Sequence, residues 1–584
     1  MVQTPQHNVF GWYEASLPQA ERKQRGHFST PARLVEYILD ACGYIPTSDL
    51  SRIRVLDPAC GSGNFLAGAA RRLVTSPVGT DLSRPHPSSY YPEPDTAQSP
   101  QTPQPVNRHK ILQHVQRNLW GFDPDPIACF LAEMQLCETV QRATGGVFPR
   151  NTHLHIHQAD GLALPWEMCE EVDLFLANPP YLATKNNDLS GYRLSRSGGQ
   201  TDSYLLFLEM AVRIVRPGGW LGIVLPDPVL ARANASRERT RLLETFTIHH
   251  LWHLANVFNA QVGAVVLVAQ KCSPSSTHKI AWVREKWSRV ENTFNTRENK
   301  HEQPGYPQGD TVYSRGIPLR VPWQPGPLSA TVPQSLFLQQ PHAEFRYLLN
   351  SEQGLIIEQL RSVWDASSTV KQNFAPLNTF LSIRRGEELG RENSRLIPVL
   401  TSLSESQLPV LRGGVDIRPY VTPAAQCCIA REAVAKPLTR YLAPKLLVVK
   451  STHRLQATLD IKGHVALQTL YLLHPLLEDE SGDELYFFLA LLNSRLLQEY
   501  VYTLYTAYKW VQPQIEQHVL AQLPVPVIAS DCKREIIERA RNIVVACDKS
   551  SPVVEWNESI RCLYAEQERA IRMYYASALP GLFH

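Results

Sequence analysis

The chain has 584 residues, of which 43% are hydrophobic and 19% charged, so it can build folded cores and is neither wholly disordered nor collagen-like. Its net charge of +3 neither demands nor excludes a nucleic-acid partner, because a large protein can hold a local basic groove. No apolar run reaches the roughly 18 residues that a membrane span needs, and no secretory signal pattern is present. We therefore expect a cytoplasmic protein without a membrane partner.

Short apolar runs alternate with amphipathic stretches between residues 27 and 270, which is typical of strands alternating with helices. Predicted strands cover 52–57, 118–123, 153–158, 172–177, 220–225 and 264–269. This order predicts a parallel, doubly wound, Rossmann-like α/β sheet. From about residue 371 strand-like pieces alternate with turns, which predicts a mixed α+β domain. The predicted divisions are 1–275 with an insertion at 75–107, a linker or insertion at 276–370, a second domain at 371–530 and a helical segment at 531–584.

A glycine-rich turn follows the first predicted strand, in Asp57-Pro58-Ala59-Cys60-Gly61-Ser62-Gly63. In an open α/β sheet the ligand crevice lies beyond the carboxyl ends of the strands. Glycine lets the backbone approach a ligand closely because no Cβ intrudes. On its own this pattern is weak, because many ordinary strand-to-helix turns contain two glycines.

Two further acidic residues strengthen the prediction that this turn binds a ligand. Asp123 closes the second strand, where a carboxylate can accept hydrogen bonds from both ribose hydroxyls of a nucleoside. Asp160 ends the third strand, where a carboxylate can accept a hydrogen bond from an exocyclic amine. Acids at three successive strand ends predict one crevice that binds a nucleoside.

The fourth strand ends in Asn178-Pro179-Pro180-Tyr181. The prolines fix φ and supply no N–H donors, so the backbone is rigid. The Asn178 amide oxygen and the Pro179 carbonyl could both accept hydrogen bonds from a single –NH2 group. Tyr181 offers a flat face on which a planar ring can stack.

Taken together, these motifs resemble the S-adenosylmethionine-dependent amino-group DNA methyltransferases, and most closely the γ-class N6-adenine enzymes of Type II and Type IIG restriction–modification systems. The resemblance implies a methyltransferase domain, S-adenosylmethionine as cofactor and no metal. It also implies methyl transfer to adenine N6 after the base is flipped out of the duplex. Gly26 to Pro31 resembles the segment that packs over the methionine moiety. The implied catalytic residues are Asn178, Pro179, Pro180 and Tyr181, and the implied cofactor-binding residues are Thr30, Asp57, Ala59, Gly61, Gly63, Asp123, Asp160 and Asn178.

The resemblance continues into the second domain, which it implies is a target-recognition domain for double-stranded DNA. Leu411 to Tyr420, Lys445 to Lys450, Tyr486 to Leu497 and Gln522 to Pro526 resemble segments of such domains in the same order. A DNA site needs a positive rim for phosphates. The candidates that we select are Arg384, Arg385, Arg412, Arg418, Lys445 and Lys450.

Two departures from the family pattern stand out. Members usually carry an aromatic residue near the end of the AVVLVAQK-type strand to stack on the flipped base, but here Val268 and Ala269 stand there, with Phe258 nearby in sequence. Only about 25 residues precede the GHFSTP segment. We therefore expect a methyltransferase without its own nuclease, acting beside a separate restriction endonuclease or another subunit of a phage-defence system.

Three alternatives remain open at this point. The NPPY tetrapeptide also occurs in methyltransferases acting on a glutamine side chain of protein, and related forms act on RNA bases. The same fold could serve as a catalytically silent DNA-binding defence subunit. Cytosine-N4 methylation shares the chemistry, although that group more often has Ser in place of Asn178.

Overall fold

The structure is a computed structural model with two compact units. It describes residues 28–76, 108–144, 153–165, 171–182, 189, 191–192, 202–255, 257–258, 263–286, 328–365, 368–389, 393–399, 403–477, 480–509, 513–527, 531–549 and 556–583. Described residues up to 286, together with 328–345, form the first unit, and those from 346 onward form the second. Apart from its first two residues, the predicted insertion at 75–107 lies outside the described residues.

A nine-stranded sheet organises the first unit, in the order β3-β2-β1-β4-β5-β7-β6-β8-β9. The strands are β1 (Val55–Asp57), β2 (Leu119–Asp123), β3 (His155–Gln158), β4 (Val172–Ala177), β5 (Val215–Pro226), β6 (Thr247–Ala255), β7 (Ala264–Gln270), β8 (Lys279–Lys286) and β9 (Leu328–Pro333). Strands β3, β2, β1, β4 and β5 are mutually parallel. Strand order reverses between β1 and β4, and a crevice opens at such a point beyond the carboxyl ends of the strands.

The sheet differs from the predicted all-parallel arrangement at β7, which runs antiparallel to both β5 and β6. A fully apolar run such as AVVLVA indicates a buried strand but not its direction. Strands β8 and β9 lie inside the range predicted as a linker, 276–370, yet they extend this sheet at its edge. The polar and proline-rich residues around β8 and β9 make the alternation of their side chains hard to see in the sequence. Such alternation is typical of strands with one solvated face.

Helices flank this sheet: α1 (Ala32–Ala41), α2 (Asn64–Thr75), α3 (Arg108–Asn118), α4 (Pro126–Thr144), α5 (Ser203–Ile214), α6 (Ser236–Thr245) and α7 (Gln334–Gln339). One core joins apolar residues of α1, α2 and α4 to strands β1, β2 and β4. Helix α5 is buried along almost its whole length, as its near-continuous apolar sequence predicts. The Rossmann-like class predicted from the strand and helix alternation is confirmed.

Short sheets, antiparallel except for the parallel pair β13 and β17, build the second unit together with a helical layer. One sheet has the order β11-β18-β15-β16, a second β12-β14-β13-β17, and β10 pairs with β19. Their bounds are β10 (Phe374–Pro376), β11 (Leu381–Arg385), β12 (Ile397–Pro398), β13 (Gln407–Leu411), β14 (Cys427–Ala430), β15 (Lys445–Val449), β16 (Ala457–Asp460), β17 (Val465–Ala466), β18 (Leu470–Pro475) and β19 (Pro524–Pro526). Side chains of a strand alternate between faces. Accordingly Leu446 and Val448 of β15 enter one core, whereas Leu447 and Val449 enter another.

The helices of this unit are α8 (Glu352–Arg361), α9 (Thr439–Leu442), α10 (Asp483–Asn493), α11 (Arg495–Leu504), α12 (Gln517–Ala521), α13 (Cys532–Lys549) and α14 (Glu558–Ala578). Helices α13 and α14, within the predicted helical segment 531–584, pack into the same core as α10, α11 and the first sheet. The mixed α+β class predicted for this part of the chain is confirmed. Within the described residues, none of the helices is long and apolar enough to span a membrane.

Candidate active site

A crevice opens at the carboxyl ends of the parallel strands of the first unit, enclosing about 950 Å³, part of it open to solvent. It gathers side chains that lie far apart in the sequence. The predicted residues among its lining are Thr30, Asp57, Ala59, Gly61, Asp123, Asp160, Asn178 and Pro180. The convergence follows from the parallel sheet, because each strand delivers its last residue to the same edge.

Asp57, at the end of β1, is buried, with 1% of its surface exposed. Its Oδ1 accepts a hydrogen bond from the Ala59 N–H at 3.2 Å. Burial raises the pKa of Asp57 to about 8, and the nearby charge of Asp123 adds to the rise. A carboxyl in this state gains most from a cation, because a positive group restores the stability of its charged form.

Asp123, at the end of β2, ties the glycine-rich turn to the sheet. Its Oδ2 accepts a hydrogen bond from the Gly61 N–H at 3.0 Å, and its Oδ1 accepts one from the Asp125 N–H at 2.9 Å. Gly63 has a φ of +88°, and a Cβ there would lie 2.8 Å from the Ala132 Cβ. A side chain at this position would therefore push α4 away from the turn and displace the carboxylate.

Asp160 follows β3 and caps a short 3₁₀ helix, accepting a hydrogen bond from the Leu162 N–H at 3.0 Å. Its other oxygen, Oδ2, accepts one from the Tyr192 hydroxyl at 2.5 Å. Gly161 was not among the predicted site residues, yet a Cβ there would lie 2.1 Å from the Pro58 carbonyl oxygen. The turn after β3 therefore reaches the turn after β1 only because this residue is glycine.

Asn178 is held by the segment that precedes the first strand. Its Nδ2 donates to the Phe28 carbonyl oxygen at 2.6 Å, while its Oδ1 accepts from the Tyr181 hydroxyl at 3.3 Å. Asn64 fixes that segment in turn, donating to the Thr30 carbonyl oxygen at 2.8 Å. The bond from Nδ2 to backbone fixes the orientation of the amide, so its oxygen is the acceptor on the side of Tyr181.

The rest of the tetrapeptide is anchored by α5. The Ser203 hydroxyl donates to the Pro180 carbonyl oxygen and accepts from the Leu182 N–H. Burial raises the pKa of Tyr181 above its ordinary value, and the charge of Asp227 adds to this, so its hydroxyl keeps its proton. Ser203 was not predicted, because a serine at a helix start gives no signal beyond capping.

No aromatic side chain stands at Val268 or Ala269, and the buried Phe258 lies before the start of β7. Val268 and Ala269 pair with Gly222 and Leu221 of β5 and are fully buried. Because β7 is antiparallel, its first residue, not its last, lies beside the carboxyl end of β5. Phe258 precedes that end, and its ring centroid lies 5.9 Å from that of Phe28, whose carbonyl holds Asn178.

Comparison with known proteins identifies the family. The model of the N-6 DNA methylase family matches residues 7–303, about half of the chain. The chain belongs to this family. The chain also matches a TaqI-like C-terminal specificity domain over residues 409–525, within the range predicted for target recognition. The family predicted from the motifs is confirmed.

Curated relatives share limited identity with this chain. The Type II methyltransferase M.VspI of Vibrio sp. (strain 343) is 25% identical over 37% of this chain and 40% of its own length. The Type II methyltransferase M.XhoI of Xanthomonas vasicola is 25% identical over 43% of this chain and 44% of its own length. The chain thus matches less than half the length of these relatives.

One solved structure shares the fold of both units. The Type IIL restriction–modification enzyme MmeI, solved in complex with DNA, has a TM-score of 0.60 and 12% identity, covering 98% of this chain and 79% of that one. At this identity the similarity shows the fold alone. It agrees with an α/β methyltransferase unit followed by a sheet-rich unit.

In the second unit, the residues predicted to bind DNA fall into separate environments. Arg384 and Arg385 are exposed and adjacent on β11, so they point to opposite faces of the sheet. Arg385 and the half-buried Lys450 line one concave surface together with Tyr471, Gln514, Glu516, Gln517, His518 and Ala521. Arg418 is half-buried within the turn that follows β13.

Lys445 contradicts the prediction that it contacts DNA, because it is fully buried. Its Nζ lies 2.6 Å from Asp460 Oδ2. Burial alone would raise the pKa of Asp460, but the hydrogen bond from His464 and the Lys445 ammonium lower it to about 2. Arg412 is also engaged internally, donating to Asp416 at 3.0 and 3.1 Å and to Gln426 at 2.9 Å. Charge type in the sequence does not distinguish such internal pairs from a DNA-facing rim.

Within the part of the chain that the structure describes, no group of three or more His, Cys, Asp or Glu residues could hold a metal ion. The alternating histidines of β3 instead take part in ring contacts. His155 stacks on Trp120 with centroids 3.7 Å apart, and His157 stacks on Phe122 at 5.2 Å.

Proposed function

We propose that this protein transfers a methyl group from S-adenosylmethionine to the N6 amino group of adenine in double-stranded DNA, at a sequence chosen by its second unit. The observation that carries the proposal is the arrangement of Asn178. Its amide nitrogen donates to the Phe28 carbonyl, which orients its oxygen as an acceptor in a crevice lined by three carboxylates. That oxygen accepts from the Tyr181 hydroxyl and has a second acceptor position for a ligand. An amino group is the substrate that such an acceptor fits.

The crevice fits S-adenosylmethionine by the chemistry of its donors and acceptors. Asp57, buried with a raised pKa, gains from a cationic ligand. Both oxygens of Asp123 accept hydrogen bonds from backbone N–H groups, which fixes a carboxylate able to accept from ribose hydroxyls. Asp160 stands at the neighbouring strand end for an exocyclic amine. When bound, the cofactor supplies an activated methyl group on a sulfonium centre.

The residues of the tetrapeptide orient the target amine. The Asn178 amide oxygen and the Pro179 carbonyl accept its two N–H bonds, which fixes the nitrogen and the direction of its lone pair. As the nitrogen gains positive charge, these acceptors bind its protons more strongly. Because the acceptors are already in place, positioning and electrostatic stabilisation supply most of the rate.

The target base must leave the duplex to reach Asn178, at a cost of a few kcal/mol. Tyr181 and Phe258 are the aromatic side chains that we assign to the two faces of the flipped base. Stacking on an aromatic ring recovers about 1–3 kcal/mol per base. This assignment replaces the position near Val268 and Ala269, which lies in the interior of β7.

The names of the relatives support a role in restriction–modification. M.VspI and M.XhoI are Type II methyltransferases. We propose that this protein marks host DNA and that a separate endonuclease or defence subunit acts on unmarked DNA. The region that matches a specificity domain would determine which sequence is marked.

The test is a methylation assay with the full chain. Purified protein is incubated with radiolabelled S-adenosylmethionine and with duplex DNA, RNA or protein, and modified DNA is digested and analysed for N6-methyladenine. The proposal expects label in DNA as N6-methyladenine, with much slower labelling by Asn178→Ala. Label in N4-methylcytosine, RNA or protein, or none in any substrate, would refute it.

A further inference from the structure

Tyr192 contacts the carboxylate at the end of β3 although no recognised motif contains it. Its hydroxyl donates to Asp160 Oδ2 at 2.5 Å, while the Leu162 N–H donates to Oδ1 at 3.0 Å. Tyr192 and the buried Leu189 line the same crevice as Asp57 and Asp123. The side chain is therefore part of the nucleoside-binding wall as well as a partner of Asp160.

The direction of this hydrogen bond is set by charge. Burial and the adjacent Asp160 raise the pKa of Tyr192, so the hydroxyl keeps its proton and acts as the donor. With one donor on each oxygen, the carboxyl group of Asp160 cannot rotate without losing one of the two bonds. A carboxylate oxygen has two acceptor positions, so Oδ2 can still accept from a ligand.

We propose that Tyr192 is a positioning residue for the adenine of the cofactor. It holds Asp160 in the rotation that accepts a hydrogen bond from the exocyclic amine, and its ring closes that side of the crevice. This inference rests on the proposed function, because it assumes an adenine nucleoside next to Asp160. It adds a residue from the segment after the catalytic tetrapeptide to the cofactor site.

The experiment is a thermodynamic cycle on the full chain with two ligands, measured by calorimetry. One ligand is S-adenosylhomocysteine, and the other is its analogue in which hydrogen replaces the 6-amino group of the purine. We expect Tyr192→Phe to weaken binding of S-adenosylhomocysteine by about tenfold, because it removes one charge-assisted hydrogen bond that orients the acceptor. The same variant should bind the analogue as well as wild type does.

Tyr37→Phe is the matched control. Tyr37 lies on α1, accepts a hydrogen bond from Arg33 at 3.2 Å and does not line the crevice. It should bind both ligands like wild type, and thermal melting should show that both variants are folded.

Three outcomes would overturn the inference. Equal losses for the two ligands would mean that Tyr192 only supports the wall. Unchanged binding would remove any role, and tighter binding would mean that its hydroxyl competes with the amine. All three leave the proposed function standing, whereas wild type that binds neither ligand would refute both.

Discussion

The crevice carboxylates of the first unit accept hydrogen bonds from backbone N–H groups, whereas two cations of the second unit are paired with carboxylate side chains. Asp57, Asp123 and Asp160 each accept a hydrogen bond from a backbone N–H within the loop that follows their strand or the neighbouring strand. Lys445 and Arg412 are paired with carboxylates of their own unit. A backbone N–H keeps its position while a ligand binds, so the crevice is preorganised for one class of ligand.

This difference between the two units matches the different demands of methyl transfer and of DNA recognition. Interactions that develop in the transition state require acceptors fixed in advance, as Asn178 is by the Phe28 carbonyl. A DNA contact needs an exposed cation that can adapt to a phosphate chain, and of the two cations on this concave surface Arg385 is exposed. Substitutions in the crevice should therefore alter methyl transfer or cofactor binding, whereas substitutions of second-unit cations should alter DNA affinity or stability.

The largest effect is expected at Asn178. Asn178→Ala removes the acceptor for the amine and should slow methyl transfer by on the order of 10²–10³-fold, the range seen for one preorganised hydrogen-bonding group. Binding of cofactor and DNA should stay close to wild type, because the contact acts on the chemical step. Single-turnover transfer and calorimetry measure the two quantities. Equal transfer rates would show that the crevice is a scaffold.

The next effect is expected at the two aromatic side chains. Tyr181→Ala and Phe258→Ala should each weaken retention of a flipped base by roughly 5- to 150-fold, from about 1–3 kcal/mol of stacking. Fluorescence of 2-aminopurine at the target position reports flipping. Tyr181→Phe and Phe258→Tyr keep a ring and serve as controls. If Phe258→Ala flips the base normally and melts like wild type, the second face belongs to another residue.

The parts of the site that could be predicted from sequence are those at the carboxyl ends of parallel strands. Asp57, Asp123, Asp160 and Asn178 end successive parallel strands, so the sheet itself brings them together. The direction of β7 could not be predicted, because an apolar run is compatible with either direction. The antiparallel direction places Ala264, and not Val268 or Ala269, beside the carboxyl end of β5.

Contacts that form only through three-dimensional packing could not be predicted from the sequence. The Phe28 carbonyl is a backbone atom, and Tyr192 follows Asp160 by 32 residues. The sequence lists the arginines and lysines of the second unit, but it does not show which of them are buried and which are exposed. The partner of Lys445 lies 15 residues away on the next strand, and only the antiparallel register of β15 and β16 brings them together.

Replacing Lys445 tests whether that residue is structural. Lys445→Met leaves Asp460 without its ammonium partner and should lower the free energy of unfolding by about 3–5 kcal/mol, as for other broken buried pairs. DNA affinity of the folded protein should not change. Denaturant unfolding and filter binding measure these two effects. Lys462→Met, at an exposed position two residues after Asp460, is the control. Weaker DNA binding with unchanged stability would restore Lys445 to the interface.

A smaller effect distinguishes the two faces of β11. Arg385→Ala should lower DNA affinity and reduce the slope of log affinity against log salt by about 1, as expected for one lost phosphate contact. Arg384→Ala removes the same charge one residue away on the opposite face and should change neither value. Titrations at several salt concentrations provide the slopes. A reversed result would place DNA on the opposite face of this sheet.

The smallest effect is a proton released on cofactor binding. Asp57 has a pKa of about 8 because it is buried, so in the empty crevice at pH 7 it is mostly protonated. A cationic cofactor favours the charged form and lowers that pKa, so binding should release a proton at pH 7 but not at pH 9. Affinity should therefore rise with pH up to about 8 and then level off, because the folded, empty protein no longer holds the proton above its pKa. Calorimetry in buffers with different ionisation enthalpies counts the protons. Asp57→Asn should abolish the release, whereas Asp49→Asn, outside the crevice, should keep it. If wild type releases no proton at pH 7, Asp57 is already charged or does not face the cation.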